Sequence, residues 1–241
     1  MRIRRVFILL PAMLLALVAL WPPTAASAGS HQITERLREG MPPFVFTLEY
    51  FREQHGHAQA EAGLYDDEGV FFYIHSIVIT REDTGGEVQR INLNPPAETF
   101  ADEEYGFGLV LEDMNFDGFM DMRVMQFVSA GANIPYHCWL WDPAAQRFEY
   151  SEALSAIPSP LFDPDRRQVL GFGTGGPAEY IYTAYEFRGA ELVLVGRVTT
   201  GYDYEGGTAI VTTEELLEGQ MIVTSVIKEP LLQPEEGDFD W

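Results

Sequence analysis

The sequence predicts an all-β protein built of antiparallel strands. Most of the chain beyond residue 40 consists of segments rich in β-branched and aromatic residues, the residue types that pack well on a pleated sheet. Clusters of Gly, Asp, Asn or Pro separate these segments, as expected for strands joined by hairpin turns. This succession of short strands suits an antiparallel barrel, a β-sandwich or a small β-propeller.

The predicted elements follow one another along most of the chain. The strands cover residues 44–50, 69–80, 87–93, 107–113, 122–128, 136–142, 167–173, 179–187 and 190–200. Two short helices are also predicted. The first covers 31–40, because Ile33 and Leu37 are four residues apart and a glycine follows them. The second covers 212–219, between a threonine cap and Gly219.

The first 28 residues have the layout of a secretory signal peptide. Arginines come first, a mostly apolar run follows over 6–20, and small residues end at Ala28, where we expect cleavage. The apolar run is shorter than the roughly 20 residues that a membrane-spanning helix needs. We therefore predict export to the periplasm, with no membrane span after signal cleavage.

The charge of the chain limits its partners. Asp and Glu number 37 against 15 Lys and Arg, so the formal net charge is −22. Such a surface repels nucleic acid and anionic lipid and attracts basic proteins. Solubility alone also explains the acidity, and the two interpretations stay open.

The stretch DMNFDGFMD, residues 113–121, predicts a calcium loop. Calcium takes about six to eight oxygen ligands, and alternate side chains of a tightly curled loop can point to one centre. Gly118 permits the sharp turn, whereas Val124 stands where an EF-hand has its bidentate glutamate. The flanking segments are predicted strands, so the loop joins two strands. The predicted ligands are Asp113, Asn115, Asp117, the carbonyl of Phe119, and Asp121.

We expect this Ca²⁺ to stabilise the fold. Cys138 is the single cysteine, so no internal disulfide can brace an exported chain, whereas an ion that binds only the folded state stabilises it. The alternative is a hydrated Asp/Asn turn without metal. On the calcium interpretation, residues 29–68 form an N-terminal segment with a short helix and the first strand. Residues 69–230 form the calcium-binding β domain, and 231–241 form an acidic tail.

Two glycine-containing segments are candidate binding surfaces. Residues 129–135 form a turn leading to Tyr136, and tyrosine is favoured at interfaces. The run GFGTGG, residues 171–176, matches G-x-G-x-x-G, but a predicted strand follows where a nucleotide site needs a helix. It remains a glycine-rich connection able to approach another molecule closely. The alternatives are a tyrosine packed on its own core and a plain connection between strands.

Signatures of common enzyme classes are missing from the sequence. It contains no G-x-S-x-G, no H-E-x-x-H and no P-loop motif. The nearby pair His55 and His57 has no visible third metal ligand. We therefore predict that the protein is not an enzyme.

Several stretches occur in an order that resembles a family of exported bacterial proteins. They are ITREDTGGEVQRINL, LEDMNFDGFMDMRVMQ, NIPYHCWLWD, RFEYSEAL, FDPDRRQVLGF and YEFRGAELVLV, and the resemblance covers residues 69–224. The family carries one calcium motif of the VCBS/FG-GAP type and is related to periplasmic lysozyme inhibitors. Some members look like immunity proteins against lysozyme-like effectors of type IV secretion systems.

The resemblance implies a small β-propeller-like antiparallel domain, with a β-sandwich as the alternative. It implies a structural calcium on the five predicted ligands and a loop that plugs the active site of a lysozyme-like peptidoglycan hydrolase, a basic protein. The related inhibitors use a loop written S-G-x-x-Y, and two runs here approach it without the family spacing. The first supplies Ser129, Gly131, Asn133 and Tyr136, and the second supplies Thr174, Gly175 and Tyr180.

We favour Tyr136 as the plug, because it directly follows a turn within one of the resembling stretches. The alternative function is a calcium-braced binding module of the envelope, for glycan or protein, without inhibitory activity.

Overall fold

The computed structural model describes residues 27–54, 70–100, 108–129 and 131–231. The signal peptide predicted over 1–28 lies almost wholly outside these residues, as does the acidic tail predicted over 231–241. The strands are β1 (Ser27–Glu35), β2 (Phe44–Gln54), β3 (Val70–Arg81), β4 (Glu87–Phe100), β5 (Leu109–Glu112), β6 (Asp121–Met125), β7 (Tyr136–Asp142), β8 (Arg147–Tyr150), β9 (Leu161–Asp163), β10 (Gln168–Gly176), β11 (Glu179–Arg188), β12 (Glu191–Asp203), β13 (Thr208–Leu217) and β14 (Gln220–Pro230). A one-turn helix, α1 (Glu152–Ser155), follows β8.

The all-β class and the antiparallel pairing are confirmed. The strands form three sheets, in the orders β1-β2-β3-β4, β5-β6-β7-β8 and β14-β13-β12-β11-β10-β9. We call them the first, middle and third sheets. Each is a meander of sequential neighbours with two open edges, and within the described ranges none closes into a barrel or a propeller. In the same part of the chain, no helix is long and apolar enough to cross a membrane.

Both helices predicted near the ends of the domain are wrong. Residues 27–35 form β1, which pairs with β2 over its whole length, and residues 208–217 form β13, which pairs with β12 and β14. The four-residue spacing of Ile33 and Leu37 indicated a helix, but long-range pairing overrides such weak local preferences. Gly219 ends no helix. With φ of +81° it occupies the tight turn between β13 and β14, next to Glu218 with φ of +52°, as in the primed hairpin turns.

The first and middle sheets share one hydrophobic core. Phe44, Phe46 and Leu48 of β2 are buried at alternate positions, because successive side chains of a strand point to opposite faces. They meet the aromatic residues of the middle sheet. The ring of Phe44 lies 5.4 Å from that of Trp141, edge to face, an arrangement that the ring quadrupoles favour. Alternation on β2 therefore determines which face the middle sheet covers.

The middle and third sheets share a second, smaller core. Its buried members are Met114, Phe116, Cys138, Leu154, Ile157 and Val169, with Tyr185, Phe187 and Leu192 of the third sheet packed against them. The middle sheet therefore lies between the other two and contributes side chains to both cores.

Cys138, the single cysteine, lies on β7 with its thiol inside the protein. It is fully buried in the second core. Burial raises the pKa of its thiol to about 12, against a smaller lowering by Arg123. Because the thiolate is the reactive species, the native protein should resist thiol reagents.

We expect a disulfide reagent such as DTNB to leave native protein unmodified at pH 8 and to react with one thiol per chain in guanidinium chloride. Absorbance of the released thiolate measures both. Fast reaction of the native protein would show that the second core opens readily.

Candidate functional site

The predicted calcium loop connects β5 to β6 and is curled by its own side chains. Asp113 accepts hydrogen bonds from the backbone N–H groups of Asp117 (3.0 Å) and Gly118 (2.8 Å). Asn115 Oδ1 accepts from Asp117 N (3.1 Å). Asp117 Oδ1 accepts from Phe119 N (2.9 Å). Gly118 has φ of +87°, a conformation that glycine adopts without strain.

Asp121 has a different environment from the other acidic residues of the loop. Its side chain is completely buried and accepts backbone hydrogen bonds from Met114 (2.9 Å), Asn115 (3.3 Å) and, through Oδ1, Trp141 (2.8 Å). Burial raises the pKa of its carboxyl to about 7, although the backbone hydrogen bonds oppose this. Both oxygens are thus engaged with the backbone.

The oxygen atoms therefore fall into two groups. The side-chain oxygens of Asp113, Asn115 and Asp117 accept hydrogen bonds only from groups of the curled loop, while the carboxylate of Asp121 braces the loop from the core side. Within the described residues no three His, Cys, Asp or Glu side chains converge closely enough to hold a metal ion. Two carboxylates, an amide oxygen and the Phe119 carbonyl still match the hard oxygen donors that calcium prefers.

The loop is also attached to the N-terminal segment. Met120 N donates a hydrogen bond to Leu37 O (2.7 Å), and the guanidinium of Arg38 lies 4.7 Å from the centre of the Phe119 ring. The loop thus bridges the middle sheet and the residues that follow β1.

Tyr136, at the start of β7, packs against its own chain. Its ring is half-buried beside the second core, and the guanidinium of Arg123 lies 4.5 Å from the ring centre. Arg123 also donates a hydrogen bond to Pro160 O (2.9 Å). The ring of Tyr136 is therefore already covered on one side.

The two predicted partner-binding runs are brought together by Asn133 and Thr174. Asn133 Nδ2 donates to Thr174 O (3.1 Å), and Thr174 N donates to Asn133 Oδ1 (2.7 Å). At the other side of the turn, Gly131 N donates to the hydroxyl of Ser129 (3.2 Å). The Asn133 amide thus forms with Thr174 the two hydrogen bonds that the backbone of a neighbouring strand would form. It thereby connects the middle sheet to the end of β10 in the third sheet.

The glycine-rich run 171–176 is part of β10 and packs closely against other segments of the chain. A Cβ on Gly171 would lie 2.6 Å from Ile157 Cγ2, and one on Gly173 would lie 2.5 Å from Asn133 Oδ1. Real Cβ atoms essentially never lie so close to another heavy atom. The glycines therefore permit an intramolecular approach, which sequence patterns cannot distinguish from a ligand-binding loop.

One end of the third sheet carries a cluster of tyrosines that the sequence analysis identified only in part. Tyr180 stands edge to face with Tyr202 at 5.8 Å, and Tyr202 stacks with Tyr204 at 6.0 Å. Tyr202 N donates to Ala178 O (2.8 Å), which joins the turn after β10 to β12. Tyr204, in the turn after β12, is 67% exposed. We call Tyr180, Tyr202 and Tyr204 the tyrosine end.

The surroundings of the tyrosine end are acidic. The two segments that form it, 174–180 and 200–208, contain Glu179, Asp203 and Glu205 and no Lys or Arg. Tyr202 and Tyr204 were missed because they lie far from Tyr180 in sequence. The pairing of Tyr180 with Thr200 brings them together, and only the strand register reveals this.

A groove of about 570 Å³ lies beside the same segments. Asn133, Pro158 and Thr174 line it together with side chains of the third sheet. Among these are Arg197 and Glu214, which form an ion pair of 3.3 Å. Its size falls within the range of small-molecule sites, though its lining is more polar than usual.

Comparisons with known proteins show the fold alone. No known protein family matches the sequence, and no curated protein matches it. A solved structure described as "Structure of a Xanthomonas Type IV Secretion System related protein" is similar, with a TM-score of 0.56 and 16% sequence identity. The match covers 82% of this chain and 99% of that one. The chain thus shares an all-β architecture with a protein connected to type IV secretion.

Replacing Gly173 with alanine should separate Asn133 from Thr174, because the new methyl group would overlap with the Asn133 amide. We expect Gly173→Ala to lower the free energy of unfolding by about 1–3 kcal/mol, measured by urea denaturation. Gly176→Ala is the matched control, since a Cβ there meets nothing within 4 Å. Equal losses in the two variants would contradict the close approach.

Proposed function

We propose that this protein is a periplasmic inhibitor, or immunity protein, that occludes the active site of a lysozyme-like peptidoglycan hydrolase. The observation that carries the proposal is the tyrosine end with its three carboxylates. Tyrosine offers a large apolar ring and a hydroxyl with little conformational entropy to lose. Carboxylates around it match the basic residues of such a hydrolase. The protein acts by occlusion and performs no chemistry of its own.

Charge supports the choice of partner. The chain has a formal net charge of −22, and an acidic protein meets a basic one faster than a neutral one does, particularly at low salt. Nucleic acid is repelled by the same charge. The type IV secretion context named for the structural neighbour agrees with immunity against a secreted effector.

Tyr204 is a better candidate for the plug than Tyr136, and Tyr180 stands with it at the tyrosine end, although its own ring packs on those of Phe172 and Tyr202. Tyr136 contacts Arg123 and the second core, so binding a partner would require it to leave favourable contacts. Tyr204 lies in a turn and is exposed. We place the plug at the tyrosine end, where the turn with Tyr204 adjoins the second of the two runs that approach the S-G-x-x-Y motif, with Thr174, Gly175 and Tyr180.

Calcium completes the proposal as a structural ion. Asp113, Asn115, Asp117 and the carbonyl of Phe119 hold it, water supplies further ligands, and Asp121 supports the loop from the core side. The propeller-like arrangement belongs to the same proposal, since each four-stranded meander has the strand order of a propeller blade.

The alternative function is an envelope binding module for glycan, without inhibition. The observation in its favour is the groove beside Thr174. Under this alternative, soluble wall saccharides raise the melting temperature and leave hydrolase activity unchanged.

Purified protein should inhibit a basic lysozyme-like hydrolase stoichiometrically in a peptidoglycan turbidity assay. Tyr204→Ala and Tyr180→Ala should each raise the inhibition constant about tenfold or more, equivalent to about 1.4 kcal/mol. Tyr150→Ala is the matched control, because Tyr150 is also exposed but lies on β8. Added salt should weaken inhibition.

Full inhibition by the double variant Tyr180→Ala/Tyr204→Ala would reject the tyrosine end as the plug. If Tyr136→Ala lost inhibition while the double variant kept it, the plug would lie at 129–136. If no hydrolase of a basic panel responded to the wild type, the inhibitor proposal itself would fail.

Chelation should lower stability through the loop of 113–121. With free calcium at about 100 times its dissociation constant, EDTA should reduce the free energy of unfolding by about 2.7 kcal/mol, measured by urea denaturation with and without calcium. Asp117→Asn keeps an acceptor for Phe119 N but removes a charged ligand, so it should abolish most of the calcium effect. Asp165→Asn, on an exposed turn, is the control. A calcium effect of equal size in Asp117→Asn would refute the site.

A further inference from the structure

Strand β14 forms an open edge of the third sheet. It spans Gln220–Pro230, eleven residues, and in the described chain it pairs only with β13. About half of its backbone N–H and C=O groups therefore point away from β13, available to another strand. The opposite edge, β9, is only three residues long.

Apolar side chains project from both faces of this edge. The pairing of Glu214 with Val223 and of Thr212 with Val226 places these two valines on one face. Ile222 and Ile227 lie on the other face, opposite Glu215 and Val211. All four side chains are exposed, Val226 by 62%.

The edge has few of the features that prevent strand pairing. Natural edges are protected by short length, by charged residues, by bulges or by proline. The segment 220–227 contains no charged residue and no proline. The charged and proline residues, Lys228, Glu229 and Pro230, all lie at its end. One bulge interrupts the pairing of β13 with β14, at Thr224, between the pairs Thr213–Ser225 and Glu214–Val223.

Charge favours a second copy of the same chain as the occupant. Most of a surface with net charge −22 repels its copy, but the uncharged segment 220–227 brings no like charges together. Glu218 lies in the turn just before the strand, and Lys228 lies near its other end. Antiparallel pairing about Val223 sets Lys228 of each copy beside Glu218 of the other. The segment 220–227 has no carboxylate that could pair with a strand of a basic protein.

We propose that two copies of this protein pair antiparallel through β14, centred on Val223, to join their third sheets into one continuous sheet. The interface is isologous, the type found in most two-subunit assemblies. It leaves the tyrosine end free, so it does not depend on the inhibitory function. In the pair, the two tyrosine ends point in opposite directions, since the turn after β12 lies at the Pro230 end of β14.

Light scattering coupled to size-exclusion chromatography of the wild-type protein, loaded at about 1–100 µM, should show the dimer mass with dissociation on dilution. Val223→Lys sets two ammonium groups against each other across the two-fold axis, where like charges directly opposite are destabilising. We expect it to raise the dimer dissociation constant at least tenfold. Leu161→Lys on β9 is the matched control, because Leu161 is also 62% exposed, and it should remain dimeric.

Disulfide formation tests the register even if the lysine variant folds poorly. Directly paired residues have Cβ atoms about 4.5–5.5 Å apart, near enough for a disulfide after small shifts. Val223→Cys should form a covalent dimer on mild oxidation, seen on non-reducing gels, whereas Leu161→Cys should not. Cys138 is buried and does not interfere. A monomeric wild type at 100 µM, or equal cross-linking of the two cysteine variants, would overturn the proposal.

Discussion

The hydrogen bonds of Asp121 are the constraint on which the arrangement of the sheets depends. One buried carboxylate accepts from Met114 and Asn115 in the loop and from Trp141 on β7. Leaving buried backbone donors without a partner costs about 1–3 kcal/mol each, so this side chain fixes the loop against the strand. Met114 then enters the second core, while Trp141 enters the first. A single carboxylate thus links the loop residue that enters one core to the strand residue that enters the other.

The middle sheet lies between the two cores and contributes side chains to both. Trp139 and Trp141 of β7 face the first core, whereas Cys138 and Leu140, at the alternate positions, face the second. Strict alternation along one strand thus connects three layers. The same strand begins at Tyr136, whose ring closes the second core under Arg123. Tyr136, a residue type favoured at interfaces, therefore contributes to packing within its own chain.

The sequence predicted the strands with β-branched and aromatic runs well, including β7 at its observed limits. It failed where local composition and long-range pairing disagree. The run TTEELL has helical preferences, but in the structure it is part of β13, where Glu214 pairs with Arg197 of β12. A few consecutive residues do not specify which distant strand they pair with, or in which register. For the same reason the sequence did not identify Tyr202 and Tyr204, which come next to Tyr180 only through strand pairing.

The curled loop of 113–121 could be predicted from the sequence, because its side chains form hydrogen bonds within the same nine residues. The glycines of β10 could be recognised as special, but only the structure reveals that Asn133 and Ile157 approach them.

The two hydrogen bonds between Asn133 and Thr174 have a thermodynamic consequence. Asn133 lies on the connection from β6, which starts at the loop of 113–121, and its amide bonds twice to Thr174 beside the tyrosine end. A ligand that orders one end of such a connection lowers the entropy left to lose at the other. If ligands bind at both ends, such coupling is reciprocal, and each ligand changes the affinity for the other by the same factor. The two hydrogen bonds of Asn133 are the contact through which the segments would be coupled.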